Sequence, residues 1–259
     1  MPSDLWMMAV LAGVFGLLLG SFLNVCSLRW PVDESVVRPP SHCPGCGEGV
    51  RWYDNVPVLS WIVLRGRCRH CHTAISIQYP LVEAATGLIW AGMVLQHGLT
   101  IEAVHGGLFL TILLGIALSD ARFYIIPDQF SLGGLIAGLA LAPMVDGVDG
   151  LIRAGIGATA GFLILWAVGV LGKLAFKKEA MGGGDIKMMA MVGAFLGLPG
   201  VLLTIFLGAL VGSVIFGPIS LKTGKLVPFG IFLAVGGGVA YGWGDALVAW
   251  YLAWVFGAV

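Results

Sequence analysis

Long apolar runs separated by short polar stretches dominate the chain, and they predict membrane-spanning helices. The first run covers residues 5–28, which exceeds the roughly 20 residues that a helix needs to cross a bilayer. No basic region precedes it, so the run is typical of a retained helix and not of a cleaved signal peptide. The other predicted spans cover 79–96, 101–119, 131–145, 151–171, 186–198, 201–218 and 229 to about 241. The pattern therefore predicts an all-α polytopic membrane protein with about eight transmembrane helices.

Two of these runs have uncertain limits. The run at 186–198 is short for a membrane helix, so we expect it to be tilted or to begin within the preceding loop. In the last run, apolar residues continue past Asp245 to the end of the sequence.

Composition agrees with this class. The chain is 58% hydrophobic and 11% charged, with a mean hydropathy of +0.96. Its 40 glycines suit closely packed membrane helices. Because the formal net charge is zero, no nucleic-acid partner is expected, and the lipid bilayer is the predicted environment.

The basic residues predict an orientation. If the eight spans are correct, Arg153 is the single Lys or Arg in one set of alternate loops, and the other 13 of the 14 fall in the opposite set. Loops rich in Lys and Arg remain in the cytoplasm, so this set is predicted to be cytoplasmic and both termini to lie outside.

A polar segment interrupts the apolar pattern after the first helix. The sequence thus divides into a first helix (1–28), a cysteine-rich cytoplasmic domain (29–78) and a multi-helix membrane domain (79–259). The middle segment contains two C-x2-C pairs separated by 21 residues, which is close to the spacing of a four-cysteine zinc site. The predicted ligands are Cys43, Cys46, Cys68 and Cys71.

Other uses of these cysteines remain open. Two disulfides or four reduced thiols without metal are possible, although a cytoplasmic location disfavours disulfides. The neighbouring His42, His70 and His72 are alternative ligands. A domain of about 50 residues buries little core, so a structural zinc ion would supply stability that packing does not.

Carboxylates at predicted helix ends supply the candidate chemistry. Three glycines precede Asp185 at the start of the sixth span, and Asp120 closes the third span. Two carboxylates that meet at a membrane surface can share one proton and perform aspartic-protease chemistry. Asp128 is the competing partner, or it caps the helix that begins near Gln129. Lys187 is expected to anchor its helix at the interface. The structural alternative is that all three acids simply end helices in the headgroup region.

Sequence motifs in a fixed order give these residues a context. The chain resembles the type IV prepilin peptidases, also called prepilin leader peptidase/N-methyltransferases, of the GxGD class of intramembrane aspartyl proteases. The motifs that carry the resemblance are Gly20-Ser-Phe-Leu-Asn24-Val25, the segment 51–61 between the cysteine pairs, Tyr79-Pro-Leu-Val-Glu83, Asp120 with Ile126-Pro-Asp128, Gly182-Gly-Gly-Asp185-Ile-Lys187, and Val227-Pro-Phe-Gly230.

The resemblance implies a function. It identifies Asp120 and Asp185 as the catalytic pair, with support from Gly182, Gly184, Asp128 and Lys187. It implies cleavage of type IV prepilins and type II secretion pseudopilins after a glycine, at the cytoplasmic face of the bacterial inner membrane. It also implies N-methylation of the new terminal residue with S-adenosylmethionine. A transporter with a zinc-bound regulatory domain is the alternative from another class.

The methylation activity has its own candidate residues and its own alternative. Family-like positions in the N-terminal region are Asn24, Asn55, Gly66 and Glu83, each of which also has a structural interpretation. No segment has the pattern of a Rossmann methyl-donor site. Gln78 stands where many family members have a basic residue, so a peptidase without methyltransferase activity is the second alternative.

Overall fold

A computed structural model describes residues 3–178, 181–223 and 228–257, with side chains omitted at 3, 216–223 and 256. Within these ranges the chain is helical and has no β-strand, in agreement with the predicted all-α class. Two single-turn 3-10 helices, Trp30–Val32 and Trp52–Asp54, lie in the polar segment. The α-helices are α1 (Ser3–Arg29), α2 (Leu59–Val63), α3 (Gln78–His97), α4 (Ile101–Phe123), α5 (Asp128–Phe176), α6 (Gly183–Thr223) and α7 (Phe229–Phe256).

Five of the described helices are long and apolar enough to cross a membrane, namely α1, α4, α5, α6 and α7. This finding supports a multi-pass membrane protein. The run at 79–96 forms α3, which is not one of the five. The helix that contains the short run at 186–198 begins at Gly183, within the preceding loop as expected. The last run, whose end the sequence left open, forms one helix to Phe256.

The predicted runs at 131–145 and 151–171 join in α5, but a break separates them. At Asp146 and Gly147 the backbone leaves the helical conformation, and Gly147 has a φ of 60°. A left-handed φ is accessible to glycine because it has no Cβ. Arg153 forms an ion pair with Asp146 just after this break. The 49-residue helix therefore consists of two segments.

The packing of α5 on α6 shows that the chain reverses direction at this break. Before the break, the residues of α6 that contact α5 follow one another in the same order as the α5 residues, so the two helices run parallel. After the break the order is opposite, so they run antiparallel. These contacts are Gly134 with Met191 and Gly138 with Phe195 before the break, and Gly157 with Gly193 and Gly161 with Met189 after it. Glycines at these positions let the backbones approach closely, as in other membrane helix pairs.

A second break divides α6 at Gly197, where φ is 67°. The segment after the break runs antiparallel to α7, because Gly212 faces Phe232 while Thr204 faces Gly236. The predicted separation between the runs at 186–198 and 201–218 therefore corresponds to a real break in the helix.

Backbone contacts divide the chain into two compact units, Met1–Thr111 and Ile112–Val259. In the first unit, α1 and α3 pack antiparallel through small residues. A Cβ at Gly16 would lie 2.6 Å from the carbonyl oxygen of Thr86, and a Cβ at Gly20 would lie 2.7 Å from the Cα of Glu83. The two candidate sites, cysteines and carboxylates, lie in different units.

Candidate functional site

Asp120 lies buried near the end of α4, and its carboxylate caps another helix. Its Oδ2 accepts a hydrogen bond of 3.1 Å from the backbone N–H of Ile231, and the backbone of Gly230 provides a second one. These donors belong to the first turn of α7, whose N-cap residue Pro228 provides no side-chain cap. The first N–H groups of a helix lack partners within the helix and favour negative charge. The carboxylate is therefore held in a fixed orientation.

Asp185 lies in the first turn of α6 and is half-buried. Its carboxylate hydrogen-bonds back to the backbone of Gly182, as the acid of a capping box does. It also interacts electrostatically with Asp120. The fold thus brings together two carboxylates that are 65 positions apart in the sequence.

Ile126 fits between the starts of two helices beside this pair. A Cβ at Gly184 would lie 2.9 Å from the Cβ of Ile126, and a Cβ at Gly230 would lie 2.8 Å from its Cδ1. Ile126 is itself buried. Ile126 and Gly230 lie in motifs that carry the family resemblance, but no role at the site was expected for them or for Ile231, because the local sequence does not reveal a contact with distant helix ends.

Asp128 occupies a different environment from Asp120. Helix α5 begins at Asp128 itself with Pro127 as N-cap, so the expectation that Asp128 caps a helix beginning near Gln129 was wrong. Both of its carboxylate oxygens contact the Nζ of Lys187, at 2.7 and 2.9 Å, and both side chains are partly exposed. This ion pair connects the N-terminal parts of α5 and α6, and it gives Lys187 a partner that the sequence did not predict.

In the first unit, the four cysteines of the two C-x2-C pairs form one cluster. All four Sγ atoms lie within 4.8 Å of one another, and none is in a disulfide. The Sγ atoms of Cys43 and Cys71 are 3.7 Å apart. Zinc–sulfur bonds of about 2.3 Å in a tetrahedron place neighbouring sulfurs about 3.8 Å apart. The donor set and this spacing fit a zinc ion.

The two cysteine pairs share one local fold. In each, the N–H of the first cysteine bonds to a carbonyl five residues later, from Cys43 to Glu48 and from Cys68 to Thr73. The residue after the second cysteine has a left-handed φ in both cases, 73° at Gly47 and 58° at His72. His72 thus has a backbone role, and the described geometry does not require it as a ligand.

Two groups near the cysteine cluster, Cys71 and Asp54, have lowered pKa values. Hydrogen bonding with the side chain and backbone of Thr73 lowers the pKa of the Cys71 thiol to about 6, which favours the thiolate that a metal binds. The guanidinium of Arg69, 2.6 Å from Asp54, lowers the pKa of that carboxyl group.

Two of the four methyltransferase candidates are buried where α1 meets α3. The amide nitrogen of Asn24 donates to the carbonyl oxygens of Gly20 and Tyr79, while its Oδ1 has no hydrogen-bond partner within the described residues. Glu83 accepts a 2.7 Å hydrogen bond from the N–H of Val58.

The other two candidates have evident structural roles. Asn55 is exposed and ends the second 3-10 helix. Gly66 has a φ of 66°, and a Cβ there would lie 2.8 Å from the ring of Trp61. A glycine is therefore required at position 66 for packing alone.

Comparisons with known proteins match most of the chain. The model of the bacterial Peptidase A24 N-terminal domain matches residues 14–97, and the model of the type IV leader peptidase family matches residues 107–217. No solved structure gives a significant match.

Several similar proteins carry the name "Prepilin leader peptidase/N-methyltransferase". The one from Myxococcus xanthus is 41% identical over 221 residues, which cover 85% of this chain and 65% of the relative. The one from Aeromonas hydrophila is 36% identical over 95% of this chain and 94% of its own length. The one from Pseudomonas aeruginosa is 37% identical over 92% and 91%. With both domain models matched in order and two of these relatives aligned over more than nine-tenths of their length, the chain belongs to the type IV leader peptidase family.

Proposed function

We propose that this protein is a membrane aspartyl endopeptidase that removes the leader of type IV prepilins or pseudopilins after a glycine, and then N-methylates the new N-terminal residue. The observation that carries the peptidase activity is that Asp120 and Asp185 lie near enough to interact electrostatically at the ends of apolar helices. The names of the relatives support both activities.

A pair of neighbouring carboxylates supports hydrolysis of a peptide bond. Like charges at short range favour a pair that shares one proton. The ionised member takes a proton from the attacking water, and the protonated member donates to the carbonyl oxygen of the scissile bond. The two N–H donors of α7 hold Asp120 in place, so catalysis proceeds without reorganisation of that side chain.

Glycines around Asp185 suit an extended substrate. Gly182 and Gly183 are exposed, and no side chain there separates a passing backbone from the carboxylate. A prepilin has a short leader ahead of an apolar helix, and that helix would lie in the bilayer beside the enzyme. The scissile bond would then reach the depth of the carboxylates.

We extend the proposal to eight membrane crossings with the active site and the cysteine-rich domain (29–78) in the cytoplasm of a bacterium. The breaks in α5 and α6 support the count, because each of these helices would then cross twice. With α1, α4 and α7 this makes seven crossings, and α3 would be the eighth. The distribution of basic residues supports the orientation.

Zinc is the metal we propose for Cys43, Cys46, Cys68 and Cys71, as a structural ion. Serine at either exposed position, Cys46 or Cys71, is expected to release the metal and to destabilise the cysteine-rich domain. Metal content measured by mass spectrometry on purified protein tests this assignment. An unchanged zinc content in both variants would exclude it.

S-adenosylmethionine would supply the methyl group for the second activity. Asn24 and Glu83 fit a role near a positively charged amine or sulfonium, because both present buried oxygen atoms and the Oδ1 of Asn24 has no partner in the part of the chain that the structure describes. Asn55 and Gly66 would support the surrounding fold.

Product mass separates the two activities. Purified protein is incubated with a prepilin, with and without S-adenosylmethionine, and the mature product is weighed. Loss of the leader reports cleavage, and a further 14 Da, the mass of one CH₂ group, reports methylation. Cleavage without that increment would establish a peptidase that lacks methyltransferase activity.

Asp120→Asn and Asp185→Asn test the peptidase assignment. Asparagine keeps an oxygen acceptor for the helix N–H groups, so both variants are expected to fold and to lose cleavage. Asp146→Asn, at the exposed break of α5, is the matched control and is expected to retain cleavage. Normal processing by either of the first two variants would exclude the carboxylate pair as the catalytic centre.

A further inference from the structure

The short helix α2 in the cysteine-rich domain presents an apolar face without a protein partner among the described residues. Leu59, Ile62 and Val63 are exposed by 62%, 58% and 74%. Three large aliphatic side chains in a five-residue helix form a concentrated apolar surface, which usually marks an interaction site.

The opposite face of α2 is held firmly. Ser60 is buried, donates to the carbonyl oxygen of Tyr53 and accepts from the N–H of Val56. The indole N–H of Trp61 donates to the carbonyl oxygen of Ile75 at 3.1 Å. The outward direction of the apolar face is thus fixed by hydrogen bonds on the inward face.

A tether sets the depth of α2 relative to the membrane helices. The N–H of Val58, the residue before α2, donates to the carboxylate of Glu83 at 2.7 Å. Glu83 packs against Gly20, which lies about nine residues before Arg29 at the end of α1. At 1.5 Å per residue this is about 13 Å inside the apolar helix. The beginning of α2 is therefore level with a membrane-spanning part of α1.

The tether is stiff. Val58 has a φ of 61°, which is unfavourable for a β-branched residue and persists only where surrounding contacts enforce it. Leu81, near the start of α3, is also exposed, by 60%.

We propose that α2 lies within the lipid of the membrane that α1 crosses, with Leu59, Ile62 and Val63 in contact with acyl chains. The backbone tolerates this location, because the N–H groups of Ser60, Ile62 and Leu64 are bonded to carbonyl oxygens within the segment. Arg65, one residue beyond Leu64, is long enough to reach lipid phosphates at the headgroup level. The cysteine-rich domain is therefore anchored in the bilayer as well as joined to the membrane helices.

Photocrosslinking from a single position tests this location. The photoreactive residue p-benzoylphenylalanine replaces Val63 in the full chain, and the protein is reconstituted at a high lipid-to-protein ratio in vesicles of phosphatidylethanolamine and phosphatidylglycerol. As the matched control, the same probe replaces Glu48, an exposed charged residue two positions after the first cysteine pair. Position 59 provides a second probe site on α2 if the first variant does not fold.

Lipid adducts, identified by mass spectrometry, are expected from position 63 or 59 and not from position 48. Adducts to a second copy of the chain, or to an added prepilin, in place of lipid would show that α2 is a protein-docking surface and would overturn the proposal. Equal lipid labelling at positions 63 and 48 would overturn it as well. The result does not depend on peptidase activity, so it stands or falls separately from the proposed function.

Discussion

Replacing Gly230 by alanine tests the geometry around Asp120 with a single methyl group. The added Cβ would lie 2.9 Å from Oδ2 of Asp120 and 2.8 Å from Cδ1 of Ile126. An ordinary carbon–oxygen contact is about 3.4 Å or longer, so the carboxylate would have to move by about 0.5 Å. Its 3.1 Å hydrogen bond from the N–H of Ile231 would lengthen or misalign as a result.

The magnitude follows from that hydrogen bond. Hydrogen bonds to charged groups contribute about 1.5–3 kcal/mol, which corresponds to a rate factor of roughly 10 to 150. We therefore expect Gly230→Ala to lower kcat for prepilin cleavage by roughly that factor, with a smaller effect on KM because the change displaces a catalytic group. Initial rates are measured in lipid nanodiscs from the mobility difference between prepilin and mature pilin.

Gly242 provides the matched control in the same helix. Among the described residues, no heavy atom outside its own helical surroundings lies within 4 Å of a Cβ at this position. Alanine there should stabilise α7 by up to about 1 kcal/mol and leave cleavage unchanged. If Gly230→Ala cleaves at the wild-type rate, or if Gly242→Ala is impaired to the same degree, the inferred steric contact with Asp120 does not control catalysis.

Two further changes test neighbouring features of the structure. Asp128→Lys and Lys187→Asp should each lower the cleavage rate, and the double variant should restore it. Thermal stability should change little, because a partly exposed ion pair contributes about 0.2–1 kcal/mol. The control is the same charge reversal of the Arg153–Asp146 ion pair. Failure of the double variant to recover would show that the ion pair is not the source of the effect on cleavage. In the cysteine-rich domain, His72 and Gly47 both have a left-handed φ. His72→Gly should therefore raise the free energy of unfolding by about 1 kcal/mol, and Gly47→Ala should lower it by about the same amount, as measured by thermal unfolding. Changes of the same sign in both variants would contradict this strain argument.

Several features of the molecule could be predicted from short stretches of sequence. Apolar runs predicted the helical class and most helix positions, because hydropathy depends on neighbouring residues alone. The two C-x2-C pairs predicted a four-cysteine cluster, since each tight turn places two thiols together. The glycines before Asp185 indicated a site at the start of a helix, and the structure places Asp185 in the first turn of α6.

Contacts between distant segments were beyond this kind of prediction. On residue chemistry alone, Asp120 and Asp128 were both candidates to face Asp185. The tertiary structure buries Asp120 against the first turn of α7 and pairs Asp128 with Lys187, which is 59 positions away. Both acids end or begin helices, so their local sequences do not distinguish these environments.

The sequence by itself determined the helices, their breaks and the cysteine pairs, because hydropathy, glycine and turn spacing act over a few residues. Only the tertiary structure decided which helix ends meet. It placed Ile126 against Gly184 and Gly230, and it tethered Val58 to Glu83, 25 positions away. The physical reason is that these contacts depend on how closely whole helices pack, and that packing is set by small residues whose partners lie far along the chain.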